Sequence, residues 1–376
     1  MKKVVLIPDS FKGTLSSAQI CDIMEQNVKK HFPECEVVKI PVADGGEGSV
    51  NCFLTAAGGE KRKVIVKNPY MEDMEAFYGI LPDKTAVIEM AACAGLPLVE
   101  NRPNPEMTTT YGVGQLMLDA VEHGCKKIVV GLGGSCTNDA GAGAAAAVGV
   151  EFFDKDGEKL IPTGGTLGKV AKISMENMDE RIKSAQIITM CDIDNPLFGS
   201  EGAAYIFGPQ KGADPACVEF LDQGLRHLAQ IMREITGGDQ ENSPGAGAAG
   251  GLGYGMKAFL GARLQMGIET VLDTVHFDEK LAGTAMVFSG EGRIDSQSVR
   301  GKVISGIAKR TKAAGVPLVA VVGDIGDDME EAYQQGVSAV FSINRLAIPY
   351  EKSKLRAPED LRLTMENIMR FIHAIQ

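Results

Sequence analysis

Tryptophan is absent from this 376-residue chain, histidine occurs five times, and no extended run of lysine and arginine appears. Nucleic-acid backbones are bound by clustered cations, and with a net charge of −11 the chain offers no such surface. No nucleic-acid partner is expected, and an anionic ligand must be met by a few local cations. No window approaches the roughly 18 consecutive apolar residues that a membrane-spanning helix needs, so no membrane role is expected. In "MKKVVLIPDSFKG" the apolar run is cut by Pro8 and Asp9 before it reaches the length of a signal-peptide core, and it reads as a first strand. The eight cysteines are scattered, without a CxxC pair or a histidine at zinc-ligand spacing, which fits free thiols in a cytoplasmic protein.

What is present in quantity is glycine, 45 residues, with 44% apolar and 23% charged residues, the balance of a folded chain rich in tight turns. The length predicts two domains. Apolar runs suited to buried parallel strands recur with helical patterns after them: "KKVVLIPD", "CEVVKIPV", "KKIVVGLGG", "AQIITMCDI", "TAMVFSGEG", "PLVAVVGD" and "SAVFSINR". In "TLSSAQICDIMEQNVKKHF" Ser16 or Ser17 can cap a helix whose Ile20, Ile23, Met24 and Val28 share one face. After about residue 60 the pattern turns hairpin-like, broken by Asn68, Pro69 and Pro82, and regular alternation resumes near residue 281. The expected architecture is α/β, a parallel-sheet domain over residues 1–66 and 281–376 with a mixed α/β domain, 67–280, inserted into it. "GGDQENSPGAGAAGGLGYG", 237–255, reads either as a flexible surface loop or as a lid or ligand-contacting loop.

No Walker loop occurs. The pattern G-x-G-x-x-G/A appears from Gly141 and from Gly245, but neither copy sits at a strand-to-helix turn, as a dinucleotide site requires. "GLGGSCTNDAGAG" does follow a strand and open a helix, so Gly133 and Gly134 let a ligand approach the backbone. Ser135 and Thr137 add hydroxyls, and Asn138 or Asp139 can cap the helix. "IPDSFKGTLS" places Lys12 beside Asp9 and Ser10 at the end of the first strand, where open α/β sheets bind ligands. "PVADGGEGS" offers Asp44 and Glu47, and "TMCDIDNPLFG" offers Asp192 and Asp194, as oxygen ligands for magnesium or as a base. "FGPQKGA" holds Lys211 in a turn, and "SGEGRIDSQSVRGKV" gathers Glu291, Arg293, Asp295, Ser298, Arg300 and Lys302 among glycines, the last three of which lie outside the residues described below.

Taken together, "PDSFKGTLS", "DGGEGS", "GLGGSCTNDAGAG", "CDIDNPLFG", "GPQKGA", "GAGAAGGLGYG" and "SGEGRIDSQS" resemble, in order and spacing, the bacterial glycerate kinase family, class I. The resemblance implies a flavodoxin-like domain carrying an inserted domain. It implies phosphorylation of D-glycerate with ATP and magnesium in the cytoplasm, at the 2-hydroxyl in the usual assignment for this class. Phosphoryl transfer needs cations on the transferring group and a carboxylate for the hydroxyl proton more than a reactive nucleophile. Lys12 is then expected on a phosphate or on the glycerate carboxylate, with the 133–139 loop at the other anionic end. Asp192 is the expected base, with Asp44, Glu47 and Asp194 as metal or hydroxyl ligands. Glu291 and Asp295 are further catalytic candidates, and Lys211 and Arg293 would stabilise charge. A 3-kinase, a nicotinamide-dependent hydroxy-acid dehydrogenase and a non-catalytic sugar-acid binder are the alternatives.

Overall fold

A computed structural model describes residues 1–43, 45–295 and 303–375. The chain divides into two compact units, one comprising Met1–Ala43, Asn51–Ala57 and Ile268–Gln376, the other Asp44–Val50 and Gly58–Gly267. The second is therefore inserted into the first.

In the first unit five strands are all parallel, in the spatial order Glu36–Lys39, Lys3–Pro8, Met286–Gly290, Leu318–Val322, Val337–Ser342. Counted within the unit this is 2-1-3-4-5, the flavodoxin-like order expected from the resemblance. The inner strands read as unbroken apolar runs because helices cover both faces of such a sheet, and Val4, Val5, Leu6 and Ile7 have no exposed surface. Val4, Leu6, Phe288, Val319 and Val321 form one core with Ile20, Met24 and Val28 of the helix Ser17–His31 and with Leu361, Met365 and Met369 of Ala357–Ile375. Ser16 is the cap of the first helix. Its hydroxyl accepts from the Gln19 amide, and the Gln19 side chain accepts from the Ser16 amide.

The second unit contains a six-stranded mixed sheet. Arg263–Gln265, Gln186–Met190, Lys127–Gly131 and Thr85–Glu89 are parallel, and Asp73–Ile80 and Glu60–Lys67 continue the sheet antiparallel. The hairpin-like reading has a local cause at both turns. Asn68 Oδ1 accepts from the Tyr70 amide at 2.9 Å ahead of left-handed Met71, and Pro82 precedes left-handed Lys84. Glu60–Lys67 pairs along its whole length with Asp73–Ile80 and so lies in this unit, as residues 268–280 lie in the first.

The glycine-rich segment, expected as a flexible surface loop or as a lid or ligand-contacting loop, is largely buried from Gly245 to Met256, kinks through left-handed backbone at 249–251 before a helical stretch to Ala258, and lends Ala248 and Ala249 to the wall of a cavity. Its glycines have steric reasons. A Cβ on Gly250 would lie 1.9 Å from the Thr137 carbonyl oxygen, and one on Gly255 would lie 2.3 Å from that of Ala140. On the facing segment a Cβ on Gly141 would lie 3.1 Å from the Gly255 Cα. Both G-x-G-x-x-G/A patterns are thus parts of one seam where two stretches of backbone touch. Gly250→Ala should lower stability by roughly 3 kcal/mol, combining overpacking with a left-handed φ of 67°. Gly13→Ala, at φ 77° with nothing within 4 Å, should cost only about 1 kcal/mol. Thermal unfolding midpoints of the two variants check the difference.

Candidate functional site

The strand Lys127–Gly131 leads into the loop 132–141 at the C-terminal edge of the second unit's sheet. This loop is seated on the backbone of the "GGEG" turn. A Cβ on Gly133 would lie 2.5 Å from the Gly46 Cα, and the Gly133 amide donates to the Gly45 carbonyl at 3.0 Å. The turn is held in its own right by Glu89, a buried carboxylate not singled out in the sequence, which accepts from the amides of Gly48 at 3.2 Å and Val50 at 2.6 Å. Burial raises the pKa of Glu89 against the lowering effect of these two bonds. The available signal was a charged residue closing the apolar strand "TAVIE".

Lys211 comes from a single turn, Pro209–Lys211, ended by left-handed Gly212. The side chain is only 2% exposed. Its ammonium donates to Ser135 Oγ at 2.8 Å and to the Thr137 carbonyl at 2.7 Å. An ammonium has three N–H donors, so one remains for a ligand. Among the described residues no carboxylate forms an ion pair with it, and burial lowers its pKa to about 8. Lys211, Gly133, Gly134, Ser135 and Asp192 line a cavity of about 350 Å³. Among the described residues, none accepts the amides of Gly134 and Ser135. On the adjoining wall Asp192, which follows the strand Gln186–Met190 and has an exposed side chain, accepts from the Gly267 amide at 2.7 Å. Donors for an anion and an acceptor for a proton therefore share one cavity.

The rest of the loop is turned inward. Asp139 was expected beside the ligand, but it is fully buried and does not line the cavity. Its Oδ2 accepts from the Thr110 amide at 2.7 Å, the Thr110 hydroxyl at 2.8 Å, the Thr109 hydroxyl at 3.2 Å and the Gly143 amide at 3.2 Å. Its Oδ1 accepts from the Gly141 amide at 3.1 Å. Burial raises its pKa, and these donors pull it back. The chain's own carboxylate therefore already takes the Gly141 and Gly143 amides at the start of the short helix Ala142–Ala147. Thr137 and Asn138 are also fully buried. The Thr137 hydroxyl and both polar atoms of the Asn138 amide have no hydrogen-bond partner among the described residues.

The remaining candidates divide by unit. Glu47 and Asp194 are exposed in the second unit and do not line the cavity, and Asp44 lies outside the described residues. Among the described residues there is no group of three or more metal-capable side chains. Asp9, Ser10, Lys12, Glu291, Arg293 and Asp295 belong to the first unit. Asp9 Oδ1 accepts from the Ser10 amide at 2.6 Å, Glu291 is buried, and Arg293 pairs with Asp295 at 3.3 Å. Lys12 and Arg293 line a separate cavity of about 690 Å³ whose other wall, residues 343–354, was not singled out in the sequence.

The whole chain compares closely with known proteins. It is 42% identical to a glycerate kinase of Bacillus cereus, over 97% of each chain. It is 42% identical to the glycerate 2-kinase of Escherichia coli, over 91% of this chain and 90% of that one. A crystal structure from Salmonella typhimurium LT2 designated glycerate kinase 2 superposes with a TM-score of 0.88 at 38% identity, covering 99% of this chain and 98% of the other. The model of the glycerate kinase family matches residues 4–373, which takes in every motif described above, and the chain belongs to the glycerate kinase family.

Proposed function

We propose that this chain transfers the γ-phosphoryl group of ATP to the 2-hydroxyl of D-glycerate, giving 2-phospho-D-glycerate and ADP. The observation that carries the reading is the second unit's cavity, where a buried lysine and two amides unpaired among the described residues share a wall system with the exposed Asp192 carboxylate. A three-carbon hydroxy acid needs that combination: cationic and N–H donors for its carboxylate, and an acceptor for the proton of the reacting hydroxyl. The 2-position follows the name of the Escherichia coli relative.

In this assignment Lys211 and the amides of Gly134 and Ser135 hold the glycerate carboxylate. The Asp192 carboxylate takes the proton of the 2-hydroxyl as that oxygen bonds to the γ-phosphorus, while the bond from phosphorus to the β,γ-bridging oxygen breaks and ADP leaves. The Gly267 amide keeps the Asp192 side chain turned to this task. Magnesium carried on the ATP phosphates offsets their charge, and such an ion needs only one or two protein carboxylates. Asp194, Glu47 and Asp44 are the carboxylates on offer for it. Glu291 and Asp295 are assigned to the first unit's strand-end loop as supporting carboxylates. ATP as phosphoryl donor fits a cytoplasmic setting.

With D-glycerate and Mg–ATP the protein should release ADP in a coupled assay, and the phosphorus NMR spectrum of the product should be that of 2-phosphoglycerate. A 3-phosphoglycerate signal would reassign the acceptor, and nicotinamide reduction without ADP release would replace the reaction class. Asp192→Asn keeps the carbonyl that the Gly267 amide binds, and it should lower kcat by about a hundredfold or more with little change in KM. Lys211→Met keeps the volume and removes the charge, and kcat/KM for glycerate should fall by roughly a hundredfold. Because burial favours the neutral amine, free Lys211 is charged below about pH 8 and neutral above it. Wild-type kcat/KM should therefore decline as pH rises through about 8, and that limb should vanish from the profile of Lys211→Met.

A further inference from the structure

We infer that the cavity of about 690 Å³ in the flavodoxin-like unit is the ATP site, with the phosphates at Lys12, Arg293 and Arg345 and the base against the 346–350 segment. The choice of nucleotide rests on the phosphoryl-transfer reading; the location rests on four features of this unit. The first is position. Lys12 follows the strand Lys3–Pro8, and Gly292 and Arg293 follow Met286–Gly290. These adjacent strands flank the place where the strand order reverses, the crevice in which open α/β sheets bind ligands.

The second feature is charge. In a chain of net charge −11, Lys12 and Arg345 both line this cavity and neither forms an ion pair with a described residue. The third is bare backbone beside these cations. Lys12 and Gly13 are the central pair of a turn closed by the Thr14 amide on the Phe11 carbonyl at 2.8 Å, and Gly13 takes the left-handed third position with nothing within 4 Å of its Cβ direction. Gly292 and Gly323 lie backbone to backbone, a Cβ on Gly323 falling 2.3 Å from the Gly292 carbonyl oxygen, so no side chain from either fills this part of the floor. The fourth is an apolar far wall. Leu346 is 51% exposed and Tyr350 62% exposed, with Ile348 between them, which is costly surface to leave in water and suitable surface for a purine. Asp324, an exposed carboxylate on the same cavity, can accept from a ribose hydroxyl. A three-carbon acid would leave most of this volume empty, whereas a nucleoside triphosphate would use the cations, the glycines and the apolar wall together.

The test is titration of the full chain with Mg–ATP and, separately, with inorganic triphosphate, by calorimetry. Lys12→Ala and Arg345→Ala change exposed side chains, and unchanged thermal midpoints would confirm that they fold. Each should raise the Kd for Mg–ATP by about tenfold or more, the size expected for losing one charge-assisted contact. Tyr350→Ala should weaken ATP binding by about fivefold or more and leave triphosphate binding unchanged, since stacking concerns only the base. Lys211→Met, in the other cavity, should leave the Kd for Mg–ATP within about twofold of wild type. If the Lys12 and Arg345 variants bind Mg–ATP like wild type while wild type turns over glycerate, the site assignment is wrong and the kinase reading stands. If wild type neither binds ATP nor releases ADP, the phosphoryl-transfer reading itself fails. Equal weakening of ATP and triphosphate in Tyr350→Ala would overturn the placement of the base.

Discussion

Backbone touching backbone, with no side chain between, is the constraint on which the second unit's cavity depends. The loop 132–141 is pressed on one side against Gly45 and Gly46 and on the other against Gly250, Gly251 and Gly255. Any Cβ at Gly133 or Gly250 would have to occupy space already held by main-chain atoms. This contact presents Ser135 and the Thr137 carbonyl to Lys211 and leaves the Gly134 and Ser135 amides without a partner among the described residues. Asp139 locks the same loop from inside through five short donor contacts, a dense set of bonds that offsets the cost of burying a carboxylate.

Electrostatics follows from that geometry. An acidic chain cannot draw anions by its overall field, so it must place individual cations where solvent is excluded. Lys211 is such a cation: its neighbours are a hydroxyl and a carbonyl, which orient an ammonium without neutralising it. Its depressed pKa is the cost of that arrangement and also makes an anionic ligand its natural counter-ion. In the flavodoxin-like unit the cations are handled differently. Lys12 and Arg345 are exposed, and Arg293 is moderated by Asp295, so charge there is spread over a wider and more apolar cavity. The two cavities differ in volume and wall chemistry as a small hydroxy acid differs from a nucleotide.

The repetitive strand pattern was legible because parallel strands buried on both faces must be apolar throughout, and "KVVLIP" and "LVAVV" can hardly be anything else. The Ser16 cap was legible because capping is local chemistry within four residues. The segment 237–255 was not legible. Glycine and alanine have the same composition in a mobile loop as in a packed seam, and only the partner, residues 137–141, distinguishes them. Glu89 and the 343–354 wall escaped notice for a related reason: a carboxylate at a strand end and a loop after the last strand acquire meaning from what folds against them.

The sequence by itself determined the α/β class, the strand runs, the family and the chemical types available at each strand end, since these depend on periodicity, local turn chemistry and motif order. Tertiary structure alone decided which of those groups meet. It put Lys211 on the loop of Ser135, some 76 positions away, and buried Asp139 away from the cavity that Lys211 lines. It also sorted the remaining candidates between two units. Contact between distant segments is set by how closely their backbones can pack, and in this chain that depends on the absent side chains of its glycines.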